Sequence, residues 1–141
     1  MESETENQHQ TVGLAELGGE EGIGRWVERF YGAIARHPLL SPMFDDLEAA
    51  REKQRAFFIE FFGGPKEYTE TYGKPFLRFK HRHFKIGPTE RDAWMELVMA
   101  ALGEEVTGEG ILEEVAARLG RLAGLMVNHH EEKQDSYYFN P

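Results

Sequence analysis

The chain has 141 residues, 25 acidic and 16 Lys or Arg, for a formal net charge of −9; it fits one domain, and its sign argues against nucleic acid or an anionic membrane as main partner. It has 0 cysteines, which excludes disulfides, thiolate metal sites and cysteine nucleophiles. Apolar residues make up 40% with 10 Phe, enough for a large-ringed core, yet the apolar runs are too short to span a bilayer and the polar start MESETENQHQ lacks a signal peptide's apolar region, so a cytoplasmic protein is expected.

Residues 1–12 read as a disordered tail and 13–130 as the folded domain. Leu14 to Leu17 forms at most one helical turn, stopped by Gly18-Gly19. Ile23, Trp26, Val27, Phe30, Tyr31 and Ile34 then fall on one face of a strong helix, which His37-Pro38 ends because the proline ring cannot continue the hydrogen-bond ladder. Tyr31 sits inside that apolar stripe, where a core tyrosine with a paired hydroxyl is the ordinary reading. Pro38 to Phe44 is a short, stiff connection with room for one turn. Asp45-Asp46-Leu47-Glu48 reads as a capping box with Asp45 as the cap. The helix it opens buries Leu47, Ala50, Phe57, Phe58 and Phe61. Gln54 projects from the same face, and a buried amide is costly unless paired. On its own it reads better as the edge of the stripe.

Gly63-Gly64-Pro65 breaks this helix, and Lys66 to Pro75 shows no sustained period, so a loop is expected there. Next comes a basic island, in which Arg78, Lys80, Arg82 and Lys85 crowd His81 and His83. Gly87-Pro88-Thr89-Glu90 opens another long helix, with Pro88 at the first helical position, where its missing N–H costs nothing. Its buried face carries Trp94, Leu97, Val98, Ala101 and Leu102. After an acidic, Gly-rich turn the last helix buries Ile111, Leu112, Val115, Leu119, Leu122 and Met126, and it frays near Asn128. Residues 131–141 read as a flexible tail. With no internal repeat and no strand-period segment, the class is all-α.

Of the 6 histidines, His9 falls in the first tail, His37 precedes a proline, and His129 and His130 stand beside Glu131 and Glu132 at the last helix end. Only His81 and His83 lie where the chain must pass the core. Two residues apart on a helical turn they diverge by about 200°, so they do not both point inward. A lone histidine is ordinarily structural or solvated. A zinc or dinuclear site is disfavoured, since no His-Glu-x-x-His or helical Glu-x-x-His pattern occurs.

Three stretches together carry a family likeness. They are Gly18-Gly19 followed by Phe30-Tyr31 and His37-Pro38-Leu39-Leu40; QRAFFIEFFGGP from Gln54 to Pro65 with Tyr68 beyond; and GKPFLRFKHRHFKIGPTERDAW from Gly73 to Trp94. The chain resembles the second subgroup of the truncated haemoglobins from Leu14 to Asn128. The resemblance implies a globin-like two-over-two helical sandwich around haem b (iron protoporphyrin IX). It makes His81 the proximal iron ligand, whereas His83 falls where many relatives have proline and is not expected to bind metal. It makes Tyr31 and Trp94 the distal pair that marks the subgroup. Phe44 packs on the haem edge, and Ala50 takes the place of the distal histidine of ordinary globins, leaving a side path for small ligands. Gln54 occupies a further distal position, Leu77 and Ile86 contact the haem, and Arg78 and Lys80 lie near its propionates. The helix before the proximal histidine is expected to be reduced to a loop.

The implied function is reversible binding of dioxygen and other small ligands (NO, CO, peroxide) at pentacoordinate iron, as in oxygen transport. The competing reading is NO dioxygenase or peroxidase chemistry at the same haem, served by a reductase. A haem-free helical interaction module is the third. The resemblance is compatible with a monomer or a homodimer.

Overall fold

The computed structural model describes residues 12–82 and 84–129, so His83, residues 1–11 of the first expected tail and the whole of the second lie outside the described residues; Val12, expected in the first tail, is instead buried at the edge of the core. A single 3-10 turn, Ala15–Leu17, ends at Gly18, whose φ of 93° is the left-handed conformation that glycine adopts without a Cβ penalty. The same residue begins helix α1 (Gly19–Ala35). Gly22 in the first turn of α1 is required for a different reason: a Cβ there would stand 2.6 Å from the Leu17 carbonyl oxygen. The face of α1 that is buried carries Ile23, Trp26, Val27, Phe30, Tyr31 and Ile34, as its periodicity predicts.

A second 3-10 turn, Ser41–Met43, spans the stiff connection. Helix α2 (Leu47–Phe61) follows, but its cap is Asp46, not Asp45: Asp46 Oδ1 accepts from the Ala49 backbone N–H at 3.1 Å. Both aspartates fit the composition of a cap, and extended backbone at Asp46 decides between them.

The expected loop from Lys66 to Pro75 is instead a six-residue helix, α3 (Glu67–Tyr72). Its start is capped from another element. Glu60 on α2 accepts from both the backbone N–H of Thr69 (2.9 Å) and its hydroxyl (2.5 Å). The truncated helix before His81 is thus short but present. Helix α4 (Leu77–Lys80) is one turn in the basic island, begun by Phe76 at the left-handed φ of 42°. Helix α5 (Pro88–Gly103) opens as expected, with the Gly87 backbone N–H held by Glu90 Oε1 at 2.7 Å. The last helix is α6 (Glu109–Met126).

Helix α1 packs on α2, α5 packs on α6, and α1 also packs on α5. Two helix pairs therefore lie one over the other in a two-over-two sandwich. Trp26, Phe30, Phe58, Val98, Leu102, Val115 and Leu119 are fully buried between them. No helix among the described residues is long and apolar enough to cross a membrane.

Candidate functional site

A cavity of about 460 Å³ opens between the two helix pairs, within the range of small-molecule and cofactor sites. Helix α1 contributes Tyr31 to its wall, the connection Phe44, and α2 both Ala50 and Gln54. The basic island contributes Leu77, Lys80 and His81, and Ile86 and Trp94 complete the set. Nine of the ten residues that the sequence nominates thus line one cavity; Arg78 does not.

His81 ends α4, and its ring is set by the chain's own backbone. Nδ1 lies 2.7 Å from the Leu77 carbonyl oxygen. A carbonyl only accepts, so Nδ1 carries the proton, and it is Nε2 whose lone pair the neutral ring would offer to a metal. This is the arrangement that orients a metal-binding imidazole and raises its basicity. Among the described residues no group of three or more His, Asp or Glu side chains could hold a metal ion. A site offering one nitrogen suits an iron whose equatorial positions are already filled by a porphyrin.

Three polar side chains from three helices reach the same cavity. The Tyr31 hydroxyl donates to Gln54 Oε1 at 3.1 Å, which pairs the phenol donor with the amide acceptor. Burial pushes the Tyr31 phenol well above its ordinary range, so it stays a protonated donor. With its oxygen engaged, Gln54 has its amide NH₂ left to donate. Trp94 is the third. Its indole N–H makes no hydrogen bond to another described residue, and an indole can only donate. Phe30 holds the group in register, with its ring 5.3 Å from Tyr31 and 5.5 Å from Trp94, both edge-on. Phe44 packs edge-on against Tyr31 at 5.8 Å.

Basic side chains line the cavity too. Lys80 Nζ donates to the Tyr68 hydroxyl at 3.2 Å and to the Lys74 carbonyl at 3.3 Å. Arg78 is exposed and lines an outer cleft with Arg82, so the pair expected near one set of carboxylates is split. Lys53 and Arg91 also line the cavity, and sequence reasoning missed both. Their signal was helical spacing: Lys53 is three residues after Ala50, and Arg91 is three before Trp94. Asn128 was missed as well. Its side chain accepts from the Ile86 N–H (2.9 Å) and donates to the Phe84 carbonyl (2.8 Å), while its backbone N–H donates to the Ile86 carbonyl (2.8 Å). This clasp fastens the end of α6 to the segment after His81.

Comparison with known proteins agrees with this geometry. Residues 14–128 match the bacterial-like globin family. The chain is 39% identical over 120 residues to the group 2 truncated haemoglobin YjbI of Bacillus subtilis, covering 84% of this chain and 90% of that one. It superimposes on the group II truncated haemoglobin of Bacillus anthracis with a TM-score of 0.77 at 40% identity, covering 82% of this chain and 89% of that one. It also superimposes on a truncated oxygen-avid haemoglobin from Bacillus subtilis with a TM-score of 0.73 at 39% identity, covering 78% and 94%. A one-histidine apolar cavity inside a two-over-two sandwich and these likenesses lead to one conclusion: the chain belongs to the bacterial-like globins and, among them, to the group 2 truncated haemoglobins, which are haem proteins.

Proposed function

We propose that the protein binds dioxygen reversibly at haem b, as a cytoplasmic oxygen-binding globin, with His81 as the axial ligand. The observation that carries this reading is the pairing of a preset imidazole with polar donors in one apolar cavity. His81 Nδ1 is committed to Leu77, while Trp94 and the Gln54 amide offer N–H groups from α5 and α2. When bound, the haem would supply an iron centre for a small diatomic ligand, and His81 would hold that iron. Everything else is the work of the chain. Phe44, Leu77 and Ile86 keep water from the cavity. Trp94 and Gln54 favour a polar diatomic ligand over an apolar one, because a donor pointed at an apolar ligand gains little. Lys80 and Lys53, which line the cavity, would hold the haem carboxylates through charge-assisted contacts. The oxygen-avid neighbour supports the same choice of ligand.

The test is a spectrum of the purified protein, oxidised and then reduced under CO, for wild type and two variants. His81→Ala is expected to lose stable haem binding, or to regain a wild-type spectrum on adding imidazole. His83→Ala is expected to keep it. Loss of haem in His83→Ala with retention in His81→Ala would sink the assignment, and a colourless wild-type protein would sink the whole reading.

A further inference from the structure

A second cleft, of about 580 Å³, lies outside the haem cavity along the segment that carries His81. Arg78, Phe79, Arg82 and Phe84 line it from that segment, and Leu125 and Asn128 from the end of α6. Phe79 is 61% and Leu125 55% exposed. Large apolar side chains grouped at one place and interleaved with arginine mark a contact surface, unlike singly scattered ones. The Arg82 guanidinium lies 3.6 Å from the centre of the Phe79 ring and donates to the Phe79 carbonyl at 2.7 Å. Stacking fixes it in place with N–H groups to spare for a carboxylate. The surface is therefore basic and aromatic, in a chain with a net charge of −9.

An occupant of matching chemistry is tethered at its edge. The Asn128 clasp and a second bond from the His129 N–H to the Ile86 carbonyl (3.1 Å) bring the chain out of α6 beside the cleft, which both residues line. The sequence then runs HEEKQDSYYFNP over residues 130–141. Glu131, Glu132 and Asp135 outnumber Lys133, and Tyr137-Tyr138-Phe139 follow. Acidic residues come first and aromatic ones last. Extended, such a stretch reaches roughly 40 Å, ample for the cleft. A short tether gives an effective concentration on the order of millimolar, so weak contacts suffice.

We propose that residues 131–141 dock in this cleft, the carboxylates on Arg78 and Arg82 and the aromatic triplet on Phe79 and Leu125. This inference stands apart from the choice of gas, because its readout is contact and not ligand binding.

The experiment compares the full chain with a version ending at His129, which leaves the Asn128 clasp intact, by NMR in the reduced CO form. In the full chain, ring protons of Tyr137, Tyr138 or Phe139 are expected to show contacts to Phe79 and Leu125. Truncation is expected to shift the signals of Phe79, Phe84 and Leu125. Adding a peptide of residues 130–141 to the shortened chain is expected to restore those shifts. High salt, which screens the charge pairs, should weaken the peptide by about tenfold, as should Arg78→Glu with Arg82→Glu. Shifts confined to the immediate neighbours of His129 would overturn the proposal. So would contacts that disappear on dilution, which would belong to the tail of a second copy, or a peptide that binds independently of salt and of both arginines.

Discussion

Gln54 and Tyr31 behave as one unit, and that changes what each substitution should do. The Tyr31 hydroxyl is given to Gln54 Oε1, so the phenol steadies the amide and is not itself an open donor. Trp94 has no such commitment to another described residue. A hydrogen bond to a strongly polar acceptor is worth about 1.5–3 kcal/mol, or roughly ten- to a hundred-fold in escape rate. Trp94→Phe is therefore expected to speed dioxygen dissociation by that factor and CO dissociation by much less, read by stopped flow. Equal acceleration of both gases would make Trp94 a steric element only. Tyr31→Phe is expected to have a small effect in wild type, since the Gln54 amide remains. In a Gln54→Leu background, where the phenol is released toward the ligand, the same change should cost about tenfold. An identical effect in both backgrounds would refute the coupling. Burial raises the Tyr31 pKa above its ordinary 10.0. The phenol's share of stability is therefore complete below the pH where unfolded tyrosine ionises and falls away as pH rises through the higher folded value. Tyr31→Phe should flatten the alkaline limb of the stability curve.

At the scale of elements, the long helices were legible because each buries a continuous apolar stripe. α1 could be written down from Ile23, Trp26, Phe30 and Ile34 alone. Helix α3 was not legible, and Glu60 explains why: the group that caps it sits on α2, so no local signal precedes Glu67. The Thr69 hydroxyl and N–H hold the Glu60 carboxyl below the usual carboxylate range, because both donate to its ionised form. Glu60→Gln is expected to raise amide exchange across residues 69–72 while leaving α2 protected; unchanged exchange would show that α3 stands without its cap. The choice between Asp45 and Asp46 was equally illegible, because it depends on backbone angle. Asp46→Ala should cost about 0.5–2 kcal/mol in urea unfolding and Asp45→Ala far less; the reverse order would restore Asp45 as the cap. Within the site, the cavity walls at Tyr31, Gln54, His81 and Trp94 followed from spacing and family likeness together. The Tyr31–Gln54 bond and the Asn128 clasp did not, since both join residues far apart in the chain.

Across the whole molecule, the two helix pairs are joined by arginines as well as by the core. Arg25 and Arg29 of α1 meet Glu105 just beyond α5, at 2.8 and 3.1 Å. Arg118 of α6 donates to the Val12 carbonyl at 2.7 Å and to the Phe61 carbonyl at 3.2 Å. The hydrogen bond from Arg25, joined by that from Arg29, holds the Glu105 carboxyl below its ordinary range. Its contribution is therefore full above the unfolded carboxylate pKa and is lost as pH falls through the lower folded value. Glu105→Gln should destabilise the protein at neutral pH and reduce the further loss seen on acidification, measured by urea unfolding over a pH series; parallel curves would remove Glu105 from the account. The four long helices share one buried core, whereas the segment holding His81 is a single turn begun by a left-handed Phe76 and fastened by Asn128. Such a segment opens at a fraction of the cost of global unfolding. The globin frame is thus expected to persist while this stretch unzips and recloses, letting cofactor exchange run through a partly open native state. Asn128→Ala should then quicken both amide exchange over residues 77–86 and haem transfer to an acceptor globin, with little change in the unfolding midpoint: the cofactor's residence time is set by one asparagine more than by the strength of the fold.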